Sequence, residues 1–196
     1  MKNIIICGCS GSGKTTAIKR ILRGAEEPLY GFWTEKLAKD PQTGSAPVYI
    51  HGCSEQLTFA QDHQIGSCRE RCAEKRPKAF DTVGFMLLSG IPSGSLVLMD
   101  EIGVMEEAAA AFIARIFELL DGDYRVIAAV RDRSTPLLDA VRGHEKSLCV
   151  SAAEANTPDF VERARRELGI THILAADGEK AFSELFRTEK TGSGNA

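Results

Sequence analysis

Gly8-Cys9-Ser10-Gly11-Ser12-Gly13-Lys14-Thr15 decides how the fold is read, because it satisfies Gly-x-x-x-x-Gly-Lys-Ser/Thr. The pattern predicts a phosphate-binding loop. In such a loop, backbone N–H groups and the N-terminus of the following helix converge on phosphate oxygens. Glycines supply positive φ and let the backbone approach the ligand closely. On this reading Gly8, Cys9, Ser10, Gly11, Ser12, Gly13, Lys14, Thr15 and Thr16 contact the phosphates of a nucleotide. Lys14 bridges the β- and γ-phosphates, and Thr15 offers its hydroxyl to Mg²⁺. The flanking sequence agrees. Asn3 to Cys7 is a short apolar, β-branched run suited to a buried parallel strand, and Thr15 to Arg23 carries Ile18, Ile21 and Leu22 at helical spacing.

Working outward, 196 residues with 43% hydrophobic content suit one α/β domain spanning residues 1–187, with residues 29–78 as a variable insertion. A net charge of −3 gives no electrostatic footprint for nucleic acid or a membrane surface. No apolar run approaches the roughly 18–20 residues that span a bilayer. The N-terminal apolar run leads directly into the loop rather than into a cleavage signal, so a cytoplasmic location is the expectation. The six cysteines then read mainly as free thiols. A metal set drawn from Cys53, Cys68 and Cys72 with His51 or His63 is the sharper alternative. In it, Cys68 and Cys72 would share a helix face, although paired CxxC spacing is missing.

Leu29 to Leu37 predicts a strand in which Gly31 lets backbone pass close by, and Val48 to His51 a strand returning from the Asp40-Pro41-Gln42-Thr43-Gly44 turn. Cys53 to Lys78 reads as a solvated or mobile stretch, with an electropositive lid as the functional alternative. Phe80 to Leu88 has helical spacing with Asp81 as a capping residue, and Glu106 to Leu120 predicts a longer helix. Leu96 to Met99 and Val126 to Val130 are unbroken apolar strands. Ser134 or Thr135 caps a helix starting near Pro136. Leu148 to Val150 and Thr157 to Leu168 supply a further strand and helix. Thr171 to Ala176 reads as an edge strand, Glu179 to Phe186 as a helix, and residues 188–196 as a disordered tail. The alternation predicts a mainly parallel sheet with helices on both faces and a small β-hairpin insertion. Ligands of such sheets bind beyond the carboxyl ends of the strands.

Asp100 and Glu101 end the apolar run Leu96 to Met99. Asp100 is placed to complete the Mg²⁺ site begun by Thr15. Glu101, next along, can act as general base or orient a water toward the γ-phosphate. A base offered to water favours hydrolysis over transfer. Arg131 and Arg133, just past the next strand, are candidates to stabilise charge on the γ-phosphate, so the catalytic set is Glu101, Lys14 and Arg131. The guanine-reading Asn-Lys-x-Asp signature is absent, which leaves base specificity open.

With these residues placed, the chain resembles the P-loop nucleoside-triphosphatase family of the cancer-related nucleoside-triphosphatase type. The resemblance rests on Gly8 to Thr16, on Gly31-Phe32-Trp33-Thr34-Glu35, and on Leu98-Met99-Asp100-Glu101-Ile102-Gly103-Val104-Met105-Glu106. It runs from about residue 2 to 168 in order and spacing, and it does not extend to the cysteine-bearing stretch. It implies a RecA-like or AAA-like core with slow, Mg²⁺-dependent hydrolysis of nucleoside triphosphates such as ATP or GTP, broad in base. Two other readings stay open: a phosphotransferase whose lid is built from Arg69, Arg71 and Arg76, and a binding module in which hydrolysis times release of a partner.

Overall fold

The computed structural model describes residues 3–53, 56–69 and 72–170. Its strands are β1 (Asn3–Gly8), β2 (Leu29–Lys36), β3 (Ser45–Gly52), β4 (Gln64–Arg69), β5 (Cys72–Lys75), β6 (Leu96–Ile102), β7 (Arg125–Arg131) and β8 (Ser147–Ser151). They form one eight-stranded sheet in the order β5-β4-β3-β2-β6-β7-β1-β8. From β2 to β8 every pairing is parallel, whereas β2, β3, β4 and β5 follow one another antiparallel. The helices are α1 (Lys14–Leu22), α2 (Pro77–Ala79), α3 (Phe85–Leu87), α4 (Ala110–Asp121), α5 (Pro136–Arg142), α6 (Ala152–Ala155) and α7 (Pro158–Glu167).

Strand alternation sorts the core into two layers. Ile4 and Ile6 of β1, with Leu96, Leu98, Ile127 and Ala129, face α1, α6 and α7 through Ile18, Ile21, Ala155 and Phe160. Ile5, Val97, Met99, Ala128 and Val130 face the other way, onto Phe80, Phe112, Ile116 and Leu138. The central strands are therefore apolar on both sides, which is why they read as continuous hydrophobic runs. Gly31 is where β2 meets β6. Its φ is +95°, and a Cβ there would lie 2.0 Å from the Leu98 carbonyl oxygen, so no other residue fits without moving backbone.

Three expectations change. The stretch Cys53 to Lys78 is not a mobile loop throughout, since it contains β4 and β5, paired antiparallel through Cys68↔Ala73 and Arg69↔Cys72. Cys68 and Cys72 thus lie on neighbouring strands rather than on one helix face. These are outer strands with charged residues along them, a composition that protects an exposed edge and hides the alternation of a half-buried strand. The run Phe80 to Leu88 is helical but interrupted, with a wider π-type turn at Phe80–Gly84 between α2 and α3. The helix expected from Glu106 begins only at Ala110. Thr135 does cap α5, accepting from the Leu138 N–H at 3.3 Å, and Thr157 caps α7. The expected strand at Thr171 to Ala176, the helix at Glu179 to Phe186 and the tail at 188–196 lie outside the described residues.

Candidate active site

The loop Gly8 to Thr15 joins β1 to α1 at the carboxyl edge of the parallel strands. Gly11 and Gly13 have φ of +76° and +95°, the left-handed region in which glycine carries no steric cost. Lys14 is only 6% exposed. Its Nζ curls back over the loop and donates to the carbonyls of Gly8 at 2.9 Å and Cys9 at 2.8 Å. Lys14, Thr15, Thr16, Ser10, Gly11, Gly13 and Glu101 together line an open cleft of about 210 Å³. The glutamate from β6 therefore faces the same space as the loop from β1, although β7 lies between the two strands.

Asp100 and Glu101 divide at a bulge. The β6–β7 register shifts between Asp100 and Ile102, and such a bulge re-aims the side chains beside it. Asp100 turns inward, 5% exposed, where the Thr15 hydroxyl donates to its two carboxylate oxygens at 3.0 and 3.2 Å. Burial pushes the Asp100 carboxyl up to about 6, opposed by the Thr15 hydrogen bond and the Lys14 charge. A hydroxyl and a carboxylate this close are hard oxygen donors. That set suits Mg²⁺, which takes one or two protein oxygens and keeps waters on its remaining positions.

Glu101 remains partly exposed, and one of its oxygens accepts a hydrogen bond from Arg131 Nε. Arg131 ends β7 directly opposite Gly8, so the ends of β1, β6 and β7 meet here. Arg133 is exposed, and its carbonyl accepts from Arg142 at 2.7 Å. A second pocket of about 180 Å³ adjoins the cleft and shares Ser10 and Glu101 with it. Its walls include Arg131, Glu106, Val48, Ile65 and Met105.

Two contributors escaped the sequence reading. Asn156 follows α6 and donates from Nδ2 to the carbonyls of Gly13 at 3.1 Å and Ala152 at 2.7 Å. It buttresses the loop from 143 residues away, and no local pattern announces that. Glu106 lies in the turn after β6, 3% exposed, and accepts from the Gly103 N–H at 3.0 Å. Burial pushes its carboxyl up to about 7. An acidic residue set in a short apolar run just past the strand-end pair was the available signal.

Among the described residues no group of three or more His, Cys, Asp or Glu is arranged to hold a metal. Cys68 carries a free thiol, and Cys53 lies buried. His63 uses Nδ1 on the Ile50 carbonyl at 2.9 Å, and His51 packs between Trp33 and Phe59 with ring centroids 4.7 and 5.5 Å away. The Cys72 side chain and Arg71 lie outside the described residues. Arg69 ends β4, and Arg76 immediately precedes α2.

A family model described as NTPase matches residues 3–165. Nucleoside-triphosphatase THEP1 of Natranaerobius thermophilus is 24% identical over 173 residues, 85% of this chain and 96% of that protein. The protein of the same name from Thermotoga petrophila is 27% identical over 161 residues, covering 81% and 88%. The crystal structure of THEP1 from the hyperthermophile Aquifex aeolicus superposes with a TM-score of 0.60 at 22% identity, over 83% of this chain and 96% of that one. That likeness extends to the fold.

Proposed function

The chain belongs to the NTPase family, and from that premise we propose that it hydrolyses nucleoside 5′-triphosphates to diphosphate and phosphate, with Mg²⁺ as cofactor and little selection among bases. The observation that carries the reading is the cleft in which the loop of β1 and Glu101 of β6 face one another. The loop amides and Lys14 bind the phosphates, and Lys14 exchanges the Gly8 and Cys9 carbonyls for β- and γ-phosphate oxygens. Thr15 and Asp100 would hold the metal, which would supply positive charge against the phosphates. Glu101 takes the proton of a water aligned with the γ-phosphorus. Arg131, hydrogen-bonded to one oxygen of Glu101, orients that carboxylate, and from the adjoining pocket it is the cation offered to charge developing on the γ-phosphate.

Base tolerance is part of the proposal; what supports it is a cleft walled by loop backbone, Lys14, Thr15, Thr16 and Glu101, groups assigned to phosphate, metal and the attacking water. Phosphate release measured with ATP, GTP, CTP and UTP tests the reading. Turnover within about tenfold across the four, lost with chelator and in Lys14→Ala, is expected. Release that persists in Lys14→Ala would contradict it.

One observation favours a second reading, phosphoryl transfer. The 180 Å³ pocket next to Glu101 has room for a small hydroxyl-bearing acceptor whose proton Glu101 would take instead of water's. Transfer predicts labelled acceptor in excess of free phosphate when candidate alcohols are supplied; hydrolysis predicts phosphate alone.

A further inference from the structure

Immediately behind the phosphate loop, two thiols meet. Cys7 is the last residue of β1 before Gly8, and Cys149 lies on the edge strand β8. The β1–β8 register sets Cys149 opposite Ile5 and Cys7 opposite Ser151. Cys7, Ile5 and Cys149 therefore share the sheet face that α5 covers, with the cysteines diagonal to one another. Their Sγ atoms are 2.9 Å apart. Cys149 is exposed and Cys7 half-buried, so one thiol is open to solvent and the other stands behind it.

From this juxtaposition we propose that Cys7 and Cys149 form an oxidation site for hydroperoxides, closing to a disulfide that loosens the phosphate loop. The electrostatics agree with the assignment of roles. The Cys149 thiol is drawn down to about 7 by the hydrogen bond from Cys7 and, secondarily, by the Arg142 guanidinium, against the opposing effect of burial. Cys7 is held well above the ordinary thiol range by that same hydrogen bond and by burial. A low, exposed thiolate with a resolving thiol beside it is the arrangement from which peroxide-sensing cysteines work.

The Cys149 thiolate attacks one oxygen of the hydroperoxide and the O–O bond breaks. The other oxygen takes a proton from solvent and leaves as alcohol or water, and Cys149, keeping the attacked oxygen with its proton, becomes a sulfenic acid. Cys7 sulfur then attacks Cys149 Sγ, the S–O bond breaks, and the departing hydroxide takes the Cys7 proton to leave as water. The two thiols have lost two electrons to the peroxide, and a disulfide remains.

The consequence for the loop is geometric. The Sγ atoms, 2.9 Å apart as thiols, must close to about 2.05 Å and take up the fixed torsion of a disulfide. Closing the bond draws the end of β1 toward β8. Gly8 moves with it, and its carbonyl oxygen accepts both from Lys14 Nζ at 2.9 Å and from the Asp132 N–H at 3.2 Å.

The test treats the full-length protein with hydrogen peroxide, blocks remaining thiols under denaturing conditions and maps the peptides. The affinity for a fluorescent nucleoside triphosphate is measured on the same samples. A Cys7–Cys149 linked peptide, with affinity lower by about tenfold, in the range of ordinary site-to-site coupling, and restored by dithiothreitol, is expected. Cys149→Ser should form no link and keep its affinity, which separates this pair from Cys9, the exposed thiol inside the loop. Free Cys7 and Cys149 after treatment, linkage without loss of affinity, or equal loss in Cys149→Ser would each overturn the proposal. The peptide map reads the bond independently of hydrolysis.

Discussion

Glu106 accepts from the Gly103 N–H at 3.0 Å and is shut away from water, 3% exposed. Its carboxyl stands near 7 in the folded chain against an ordinary 4.5, chiefly because burial disfavours the charged form. Below 4.5 it is protonated folded or unfolded and costs nothing; above about 7 the fold must carry the buried charge. A raised acid therefore removes stability as pH climbs through that window. Glu106→Gln keeps an acceptor for Gly103 and cannot ionise. Its unfolding free energy relative to wild type should rise by about 3 kcal/mol between pH 4.5 and 8. Urea denaturation across that range checks this, and two parallel stability–pH curves would show that Glu106 is not held protonated. At the same scale, the loop glycines, Lys14, Thr15, Asp100 and Glu101 were legible in the sequence because each belongs to a short contiguous motif. Glu106 closes the strand-end run, but its burial was not legible, because the pattern carried a helix through it and burial is decided by what packs over the turn.

Among the elements, Asp81 shows how a correct residue can be given the wrong partner. It reads as a cap for its own helical run, yet its Oδ1 accepts from the N–H groups of Ala111 and Phe112 at 3.0 and 3.1 Å. It caps α4, which has no side-chain cap from its own N-terminal residue Ala109. Asp81→Ala should cost about 1 kcal/mol, the usual worth of an N-cap. Since neither Asp81 nor any residue of α4 lines either pocket, turnover per folded molecule should not change; a thermal melt beside an activity assay distinguishes the two. The parallel strands were legible because both of their faces are buried, so their sequences are apolar without interruption. The outer strands β4 and β5 were not. Their residues Gln64, Arg69, Glu74 and Lys75 mix charge into the pattern, and pairing with β3, rather than local propensity, makes them strands.

Across the whole molecule, the site is assembled where β1, β6 and β7 end side by side, and no segment contains it alone. Gly8 and Arg131 are register partners although 123 positions separate them in the chain. The sheet order that inserts β7 between the loop strand and the carboxylate strand is what brings a guanidinium to Glu101. Sequence could nominate Arg131 and Glu101 separately, but only the topology pairs them. The mixed edge β3 to β5 supplies Val48 and Ile65 to the second pocket, and so walls the site on the side away from α1. None of the helices among the described residues is long and apolar enough to cross a membrane. Hydrolysis in this cleft requires Glu101 to activate water while the loop holds phosphate, and one paired measurement on Glu101→Gln addresses both halves. Nucleoside-triphosphate affinity should stay within about twofold of wild type while Mg²⁺-dependent phosphate release falls by about 10²–10⁴-fold, the usual worth of a general base. Turnover undiminished in Glu101→Gln would contradict the account.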